Sequence, residues 1–534
     1  MLEFDPVLVH DWLTRSARRF PHKTALVCAQ ERWTYKALDR YTTHFAHALM
    51  RMGLKRHDRV VILLNNSSET VISLYATLKA GGCFIILADS VKETTFRYIL
   101  NDSGANIFIT HTSKADVVEN VMDTEIQGKQ IIWVGATKAI PEPLIARSLR
   151  WDDIVMTVPN KADCAIATCS YVRSIDIDLA ALIYTSDSLN KPKGIMSTHH
   201  NMVSAARSII QYIGNSQDDI ILNALPLSFD YGLYQIIMAV MFCGTVVLEQ
   251  SFLNMHNLLE LIKSEQIKGF PIIPTTVAML LKMQNLNDYD FDTLRYMTNT
   301  GAVLPVEHIR KLGQLFPNVN LISMFGLAEC KRVSYLPPDQ LSLRPDSVGK
   351  AMSNCEVFVV DGQGNELGPG QTGELVIRGS NVMQGYWDDP KLTSRSYHVG
   401  CYADDRLLYS GHYFRTDEQG YLYFKGPKND MIKTRSKRIS AKEVEDIIHC
   451  IDGIAEVAVI GVPDDTLGQA IKAFVILSPG VWFNEKHILK CCNDKLKAFM
   501  VPRQVVVLDE LPKTPNGKID KKKLGSMKTD QYVN

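Results

Sequence analysis

Residues 182–194 read LIYTSDSLNKPKG, and this segment carries the clearest structural signal in the sequence. The apolar residues 180–183 predict a buried strand, and the hydroxyl-rich segment after them predicts a turn that a Pro-Lys-Gly step closes. Helical spacing resumes at Asn201. A strand, a polar turn and a helix in this order are typical of a loop that binds phosphate groups.

Alternating strands and helices surround this loop. Apolar spacing predicts a helix over residues 9–20, a buried strand over 59–64, a helix that Ser68 caps, and a further strand over 83–87. Such alternation favours parallel sheets that helices cover.

The C-terminal part of the chain combines a helix and strands over a shorter stretch. A helix is predicted from Ala441, with strands near residues 455–460 and 471–477. A chain of 534 residues is too long for a single core. We therefore predict an α/β protein of two or more domains, with a large N-terminal domain of helix-covered parallel sheets and a small α+β domain at the C-terminal end.

Composition and charge argue against several classes of partner. Lysine plus arginine and aspartate plus glutamate are balanced at 58 each, so no net field attracts nucleic acid. The longest apolar run, residues 236–248, is too short to span a membrane, and the first residues show no secretory signal. The 11 cysteines lack C-x-x-C spacing, although Cys164/Cys169 and Cys491-Cys492 come close, and scattered reduced thiols predict a cytoplasmic protein.

Polar motifs recur after the phosphate loop. They read LPLSFDYG at 225–232, TGA at 300–302, SMFGLAE at 323–329, SGH at 410–412 and LPKTPNGKID at 511–520. An aromatic ring can stack on a purine, and a carboxylate can hold Mg²⁺ together with phosphate oxygens. Taken singly, Glu329 and Lys518 have a simpler interpretation as solvated charges, and Asp230 has one as a helix N-cap.

These motifs together resemble those of the acyl-adenylate-forming enzymes, which include acyl-CoA synthetases, peptide-synthetase adenylation domains and luciferases. The family loop reads Y-T-S-G-[ST]-T-G-x-P-K-G, and residues 184–194 follow it at Tyr184, Thr185, Ser186, Ser188 and the closing Pro-Lys-Gly. Segments 225–232 and 330–338 more narrowly resemble a branch with stand-alone prolyl-carrier-protein ligases and exosortase-associated acyl-CoA ligases.

The resemblance implies a large domain over residues 1–427 that ends in a β-rich segment, a hinge at Asn429 or Asp430, and a small mobile domain over residues 428–534. It also implies a set of roles. Lys518 and Glu329 are catalytic, and Glu329 also holds the metal. The nucleotide and acceptor side is formed by Thr185, Ser186, Ser188, Lys193, Gly301, Ala302, Phe325, His412 and Lys433, and the substrate side by Asp230, Thr300 and Met324.

The same resemblance implies the cofactors and partners. ATP and Mg²⁺ would activate a small carboxylic or amino acid, and CoA or a phosphopantetheine would accept the acyl group. The sequence has no carrier-protein serine motif, so an acyl or peptidyl carrier protein would act in trans. Lys331 and Arg332 beside the expected pocket favour an extra acceptor group on the substrate, or are solvated neighbours of Glu329.

Several positions differ from the family pattern. In the phosphate loop, Asp187, Leu189 and Asn190 stand where the family has glycine or threonine. Ala328, His412 and Pro427 replace other residues of the family that contact the nucleotide. Ser436 replaces a glycine that lines the family's pantetheine tunnel. Glycines let backbone N–H groups approach phosphate oxygens, and proline has no donor. Two hypotheses follow: an acid–thiol ligase with an altered ATP site, or a homologue that no longer uses ATP and binds or handles acyl groups.

Overall fold

A computed structural model describes residues 5–121, 129–136, 140, 142–145, 148–156, 173–185, 192–283, 285–301, 304–402, 405–434, 437–464, 467–478, 480, 482, 484–513 and 519–527. Its helices are α1 (Val9–Arg19), α2 (Tyr35–Arg51), α3 (Ser68–Lys79), α4 (Glu93–Asp102), α5 (Ala115–Val121), α6 (Glu142–Ile145), α7 (Trp151–Met156), α8 (His199–Ile213), α9 (Asp230–Phe242), α10 (Met255–Ser264), α11 (Pro274–Leu281), α12 (Val306–Leu315), α13 (Pro390–Ser396), α14 (Ala441–His449), α15 (Glu485–Lys495) and α16 (Lys521–Ser526).

The strands of the N-terminal half are β1 (Thr24–Cys28), β2 (Glu31–Thr34), β3 (Arg59–Leu63), β4 (Cys83–Ile86), β5 (Ile107–His111), β6 (Gln130–Val134), β7 (Ser148–Arg150), β8 (Leu179–Thr185), β9 (Lys193–Thr198), β10 (Ile220–Asn223), β11 (Thr245–Leu248) and β12 (Gly269–Ile272). Those that follow are β13 (Tyr296–Asn299), β14 (Asn320–Phe325), β15 (Ser334–Leu336), β16 (Lys350–Ala351), β17 (Cys355–Val360), β18 (Thr372–Gly379), β19 (Tyr397–Val399), β20 (Arg406–Thr416), β21 (Leu422–Pro427), β22 (Met431–Thr434), β23 (Lys437–Ser440), β24 (Ile454–Asp464), β25 (Gly468–Leu477) and β26 (Gln504–Val507).

Two large, mainly parallel sheets form the framework of the N-terminal part. One has the strand order β16-β15-β14-β13-β12-β10-β11-β1-β2, and the other has the order β7-β6-β5-β3-β4-β8-β9. Antiparallel pairing is confined to the edges, at β2, β15 and β16 in the first sheet and at β9 in the second. The predicted fold of helix-covered parallel sheets is confirmed.

Helices lie on both faces of these sheets. Side chains from α1, α2, α3, α8 and α9 join residues of both sheets in one continuous apolar core. The opposite face of the first sheet packs against α10, α11 and α12, and the opposite face of the second packs against α4 and α5. Burial on both faces explains why the central strands read as unbroken apolar runs.

Two smaller sheets follow. Strands β17 to β21 form an antiparallel sheet, which is the expected β-rich segment, and β22 to β26 form the sheet of the C-terminal part. The latter packs its own apolar core against α14 and α15. The predicted helix from Ala441 and the strands near residues 455–460 and 471–477 are confirmed.

Two local predictions need correction. The cap of α3 is Ser67, whose Oγ accepts from the Thr70 backbone N–H at 3.3 Å, while the Ser68 hydroxyl donates to Glu31 Oε2 at 2.7 Å. A strand also lies between the phosphate loop and the helix, where only a turn is predicted. This strand, β9, pairs antiparallel with β8, and α8 starts at His199.

The cysteines of the described residues are free thiols, and Cys164 and Cys169 lie outside that part of the chain. No helix that the structure describes has the length and apolar character needed to cross a membrane.

A histidine joins the first helix to the start of α8. His199 is 1% exposed, and its Nδ1 accepts a hydrogen bond from the Val9 backbone N–H at 3.2 Å. Burial lowers the pKa of this imidazole to about 4, although Asp178 and Asp176 act in the opposite direction. The folded protein therefore holds His199 neutral at neutral pH.

This histidine predicts an acid-sensitive stability. The unfolded imidazole titrates near pH 6.5, so as the pH falls from there towards 4 the unfolded state binds more protons and the fold loses stability. We expect His199 to lower the free energy of unfolding by about 2 kcal/mol between pH 7 and pH 5. Urea denaturation at both pH values measures this loss. The variant His199→Gln keeps an acceptor for the Val9 N–H but has no imidazole to protonate, so it should not show this loss of stability. An equal loss in both proteins would contradict the assignment.

Candidate active site

The candidate site lies where the parallel strands of the first sheet end. Strands β10, β12, β13 and β14 run parallel, so their carboxyl ends meet at one edge. The segments that follow β10, β13 and β14 contain the motifs at 225–232, 300–302 and 323–329. Ligands of open α/β sheets bind in the crevice outside such an edge.

The three predicted substrate-side residues come together at this edge. Thr300 follows β13 directly, and Met324 lies in β14; both are buried. Asp230 opens α9 from the neighbouring strand connection, and the Tyr231 hydroxyl donates to the Thr298 carbonyl at 2.6 Å. Gly301 has a left-handed φ of +90° and lies next to the Phe229 ring, 3.5 Å from where a Cβ would stand.

The base of the phosphate loop is a β8–β9 hairpin in which Thr185 pairs with Lys193. Tyr184 donates to Asp102 Oδ2 at 2.5 Å, and burial together with Asp102 raises the pKa of its hydroxyl. The Trp387 backbone N–H donates to the Gly194 carbonyl at 2.7 Å. These bonds hold both strands of the hairpin, so the position of Lys193 is well defined.

A tyrosine connects this hairpin to the predicted metal carboxylate. The Tyr386 hydroxyl donates to Glu329 Oε1 at 2.9 Å, and the Lys193 ammonium lies 5.6 Å from the centroid of the Tyr386 ring. The cation of the loop, the ring and the carboxylate of Glu329 thus form a connected group. Such an arrangement suits a polyphosphate and its metal ion.

Glu329 fits the role of a magnesium ligand. The described residues contain no group of three or more His, Cys, Asp or Glu side chains that could hold a metal. Mg²⁺ commonly binds through one or two carboxylates together with phosphate oxygens and water, so a single carboxylate on this edge is sufficient. Glu329 is half-buried and hydrogen-bonded, which is unlike the solvated surface charge of the simpler interpretation.

Phe325, the expected purine-stacking residue, lies in an aromatic cluster. Its ring centroid is 4.9 Å from Phe414, 5.9 Å from Phe424 and 6.2 Å from His412. His412 on β20 pairs in register with Pro427 on β21, so two of the departures from the family pattern face each other. They therefore form one local feature of the β20–β21 pair rather than two separate ones.

Asp230 is enclosed by two cations. Its Oδ2 lies 3.9 Å from Lys331 Nζ and 4.0 Å from Arg332 Nη1, and all three residues are at most 9% exposed. The N-cap of α9 is Phe229, and Asp230 is the first helical residue, so the capping interpretation of Asp230 is wrong. Lys331 and Arg332 are equally unlike solvated neighbours of Glu329.

Some predicted site residues lie outside the described part of the chain, namely Ser186, Ser188, Ala302 and Lys518, and so do the altered positions 187, 189, 190 and 436. Lys433 belongs to β22 by its backbone. The ends of the Lys518 loop are described: Lys513 bridges to Ile519, and the Asp520 backbone N–H donates to the Pro512 carbonyl at 2.7 Å. The roles assigned to all these residues stay predictions.

Sequence reasoning missed Tyr386 as a functional residue. Its segment, Gly385-Tyr386-Trp387, contains no charged residue and carries none of the catalytic motifs. The contact with Glu329 joins residues 57 positions apart, and no local pattern signals such a pair.

Replacing Tyr386 by phenylalanine tests its role. The ring beside Lys193 stays, but the hydrogen bond that orients Glu329 is lost, and bonds to charged groups contribute about 1.5–3 kcal/mol. We expect the turnover of Mg²⁺-dependent nucleotide chemistry to fall about tenfold, with a higher Mg²⁺ requirement.

Tyr397→Phe is the matched control for this variant. The Tyr397 ring packs 5.8 Å from that of Tyr386, and its hydroxyl is buried without a hydrogen-bond partner among the described residues. Equal effects of the two substitutions on the Mg²⁺ requirement would contradict the orienting role of Tyr386.

Comparisons with known proteins identify the family of this chain. The family model described as AMP-binding enzyme matches residues 13–387, and the model described as AMP-binding enzyme C-terminal domain matches residues 443–518. The chain is 26% identical to a long-chain-fatty-acid–CoA ligase of Bacillus subtilis, over 97% of this chain and 94% of the relative.

A second relative is a larger protein. Tyrocidine synthase 1 of Brevibacillus parabrevis is 25% identical over 97% of this chain, which spans 44% of that protein. Among solved structures, the anthranilate CoA ligase AuaEII in complex with anthranoyl-AMP superposes with a TM-score of 0.87 at 24% identity, over 97% of each chain. The structural likeness supports the fold.

Proposed function

This chain belongs to the AMP-binding enzyme family, and from that premise we propose that it activates a small carboxylic or amino acid as an acyl-adenylate and transfers the acyl group to a thiol. The observation that carries the proposal is the connected group of Lys193, Tyr386 and Glu329, which joins β9 of the second sheet to the segment after β14 of the first. A cation beside a carboxylate would suit a nucleotide phosphate chain and its Mg²⁺, which supports the proposal.

The first half-reaction joins the acid to AMP. A carboxylate oxygen of the acid attacks the α-phosphorus of ATP, a new P–O bond forms, and the bond to the β-phosphate breaks with release of pyrophosphate. The acid and the phosphate are both anionic, so the protein contributes mainly charge neutralisation and positioning. We assign these tasks to Lys193 and Lys518, and we assign Mg²⁺, which would neutralise phosphate charge when bound, to Glu329.

The second half-reaction forms the thioester. The sulfur of CoA or of a phosphopantetheine attacks the acyl carbonyl carbon, a C–S bond forms, AMP leaves with its oxygen, and the thiol proton is released. We place the domain boundary after Pro427, where β21 ends, and the hinge at Asn429 or Asp430. Rotation there would break the Lys425–Glu443 ion pair, which measures 2.5 Å, and the hydrogen bond from Ser440 to the Lys425 carbonyl.

The acceptor is CoA or a carrier protein that acts in trans. The full-length match to a fatty-acid–CoA ligase supports CoA, whereas the partial match to tyrocidine synthase 1 supports a carrier-bound thiol. The proposed branch with stand-alone carrier-protein ligases stays a prediction from segments 225–232 and 330–338.

The hypothesis of a homologue without ATP use rests on the substituted positions alone. Among the described residues, His412 facing Pro427 and Ala328 beside Glu329 are the departures that bear on it. Lys193 and Glu329 nevertheless stay connected through Tyr386, and we therefore propose ligation as the function.

Acid-dependent exchange of radioactive pyrophosphate into ATP tests the proposal. The purified protein is incubated with ATP, Mg²⁺ and a panel of monocarboxylic, dicarboxylic and amino acids. We expect exchange that requires both Mg²⁺ and at least one acid of the panel. Exchange at background level with every acid, from a protein whose fold is verified by circular dichroism, would contradict it.

A further inference from the structure

The cations beside Asp230 form a buried group with unused hydrogen-bonding capacity. Lys331 Nζ, Arg332 Nε and the hydroxyl of Tyr234 are buried and have no hydrogen-bond partner among the described residues. The Lys331 ammonium lies 5.1 Å from the centroid of the Tyr234 ring. Buried polar groups normally have partners, so three orphaned atoms in one place indicate a missing one.

The charges of Lys331, Arg332 and Asp230 indicate the sign of the missing partner's charge. Asp230 lies 3.9 Å from Lys331 Nζ and 4.0 Å from Arg332 Nη1, outside hydrogen-bonding distance of both. Two cations and one carboxylate leave a net positive charge, and α9 adds the positive end of its dipole at Asp230. An ammonium group placed here would increase that charge, whereas an anion would neutralise it.

The backbone directs Lys331 into this group. Lys331 has a left-handed φ of +64°, which is unusual for a residue with a side chain. Its carbonyl packs against Gly326, where a Cβ would stand only 1.8 Å from the carbonyl oxygen. Strained conformations persist where the surrounding structure enforces them and cluster at functional sites.

The group belongs to the edge that holds the predicted acyl pocket. Asp230 follows β10, and Lys331 lies two residues beyond Glu329, the predicted metal ligand after β14. The Arg332 guanidinium lies 4.8 Å from the centroid of the Tyr231 ring, whose hydroxyl donates to the Thr298 carbonyl on β13. A substrate whose reacting carboxylate lies at the phosphates of ATP would therefore have its other end near Lys331 and Arg332.

We infer that the acid activated by this protein is a dicarboxylic acid, whose second carboxylate binds Lys331 and Arg332. The inference rests on the proposed function. A carboxylate accepts several hydrogen bonds at once and pairs well with both lysine and arginine. Asp230 then does not bind the ammonium of an amino-acid substrate, but offsets the repulsion between the two cations and keeps them in place.

A series of charge variants tests the inference through a ratio. The measured quantity is kcat/KM in pyrophosphate exchange for glutarate divided by that for valerate, and likewise for succinate and butyrate. We expect wild-type ratios of about 10 to 100, since a hydrogen bond to a charged group contributes that factor. Lys331→Gln and Arg332→Gln should lower the ratio about tenfold or more, and Asp230→Asn should raise it.

The ratio compares two substrates on one protein, so partial unfolding of a variant cancels. Lys282→Gln, at an exposed lysine after α11, is the control and should leave the ratio unchanged. Wild-type ratios at or below 1, or ratios that stay constant across the three variants, would overturn the inference while the proposed function stands.

Failure of the proposed function is recognised separately. Should no acid support exchange, glutarate is titrated into wild-type protein and into Arg332→Gln by calorimetry without ATP. Binding that the substitution weakens supports the dicarboxylate site even so, and the absence of binding to the wild-type protein overturns it.

Discussion

Replacing Lys518 by methionine is expected to lower acid-dependent pyrophosphate exchange by about 100- to 1,000-fold. On the proposed mechanism, a carboxylate approaches the α-phosphate of ATP, and both groups are negative. A lysine between them neutralises charge that develops in the transition state, and removal of one such group typically has an effect of this size.

The substitution should leave the fold intact. The loop that carries Lys518 is closed at its base by the bridge between Lys513 and Ile519, and Lys513 Nζ pairs with Glu456 at 3.0 Å. The matched control is Lys523→Met, at an exposed lysine in α16. A loss of less than about threefold for Lys518→Met, or an equal loss for both variants, would remove Lys518 from the mechanism.

Glu329→Gln is expected to lower the same exchange rate by about 100-fold or more at physiological Mg²⁺. Glutamine keeps an oxygen that can accept from the Tyr386 hydroxyl, so the local hydrogen bond survives and only the charge is lost. Because Mg²⁺ prefers anionic oxygen ligands, its half-saturating concentration should rise at the same time.

Glu366→Gln, at an exposed glutamate in the turn after β17, provides the charge-matched control. A titration of the exchange rate against Mg²⁺ for both variants separates a metal role from a general loss of negative charge. An unchanged Mg²⁺ requirement in Glu329→Gln would assign Glu329 to a purely structural contact with Tyr386.

The framework could be predicted from sequence because its signals are local. Strand β3 reads as an apolar run bounded by polar residues, and α2 is capped by Thr34, whose Oγ1 accepts from the Ala37 N–H. Helical spacing and turn residues predict such elements within a window of a few residues. The one-residue error at Ser68 arose because two adjacent serines offer the same capping chemistry.

The chemistry of the site was predictable only in part. Motif order indicates which residues meet at the carboxyl edge, since parallel strands end at one side of a sheet. Pairings across the sheet carry no local signal: the Tyr386–Glu329 bond, the His412–Pro427 register and the position of Asp230 between Lys331 and Arg332 all depend on tertiary structure.

Calorimetric titration of ATP with Mg²⁺ into the purified protein tests ATP-dependent ligation most directly. A companion variant carries the family residues through Asp187→Gly, Leu189→Thr, Asn190→Gly, Ala328→Thr, His412→Asp and Pro427→Arg. We predict that the natural sequence binds with a dissociation constant between about 1 μM and 1 mM. No detectable binding by the natural sequence, with binding regained in the companion variant, would contradict ATP-dependent ligation.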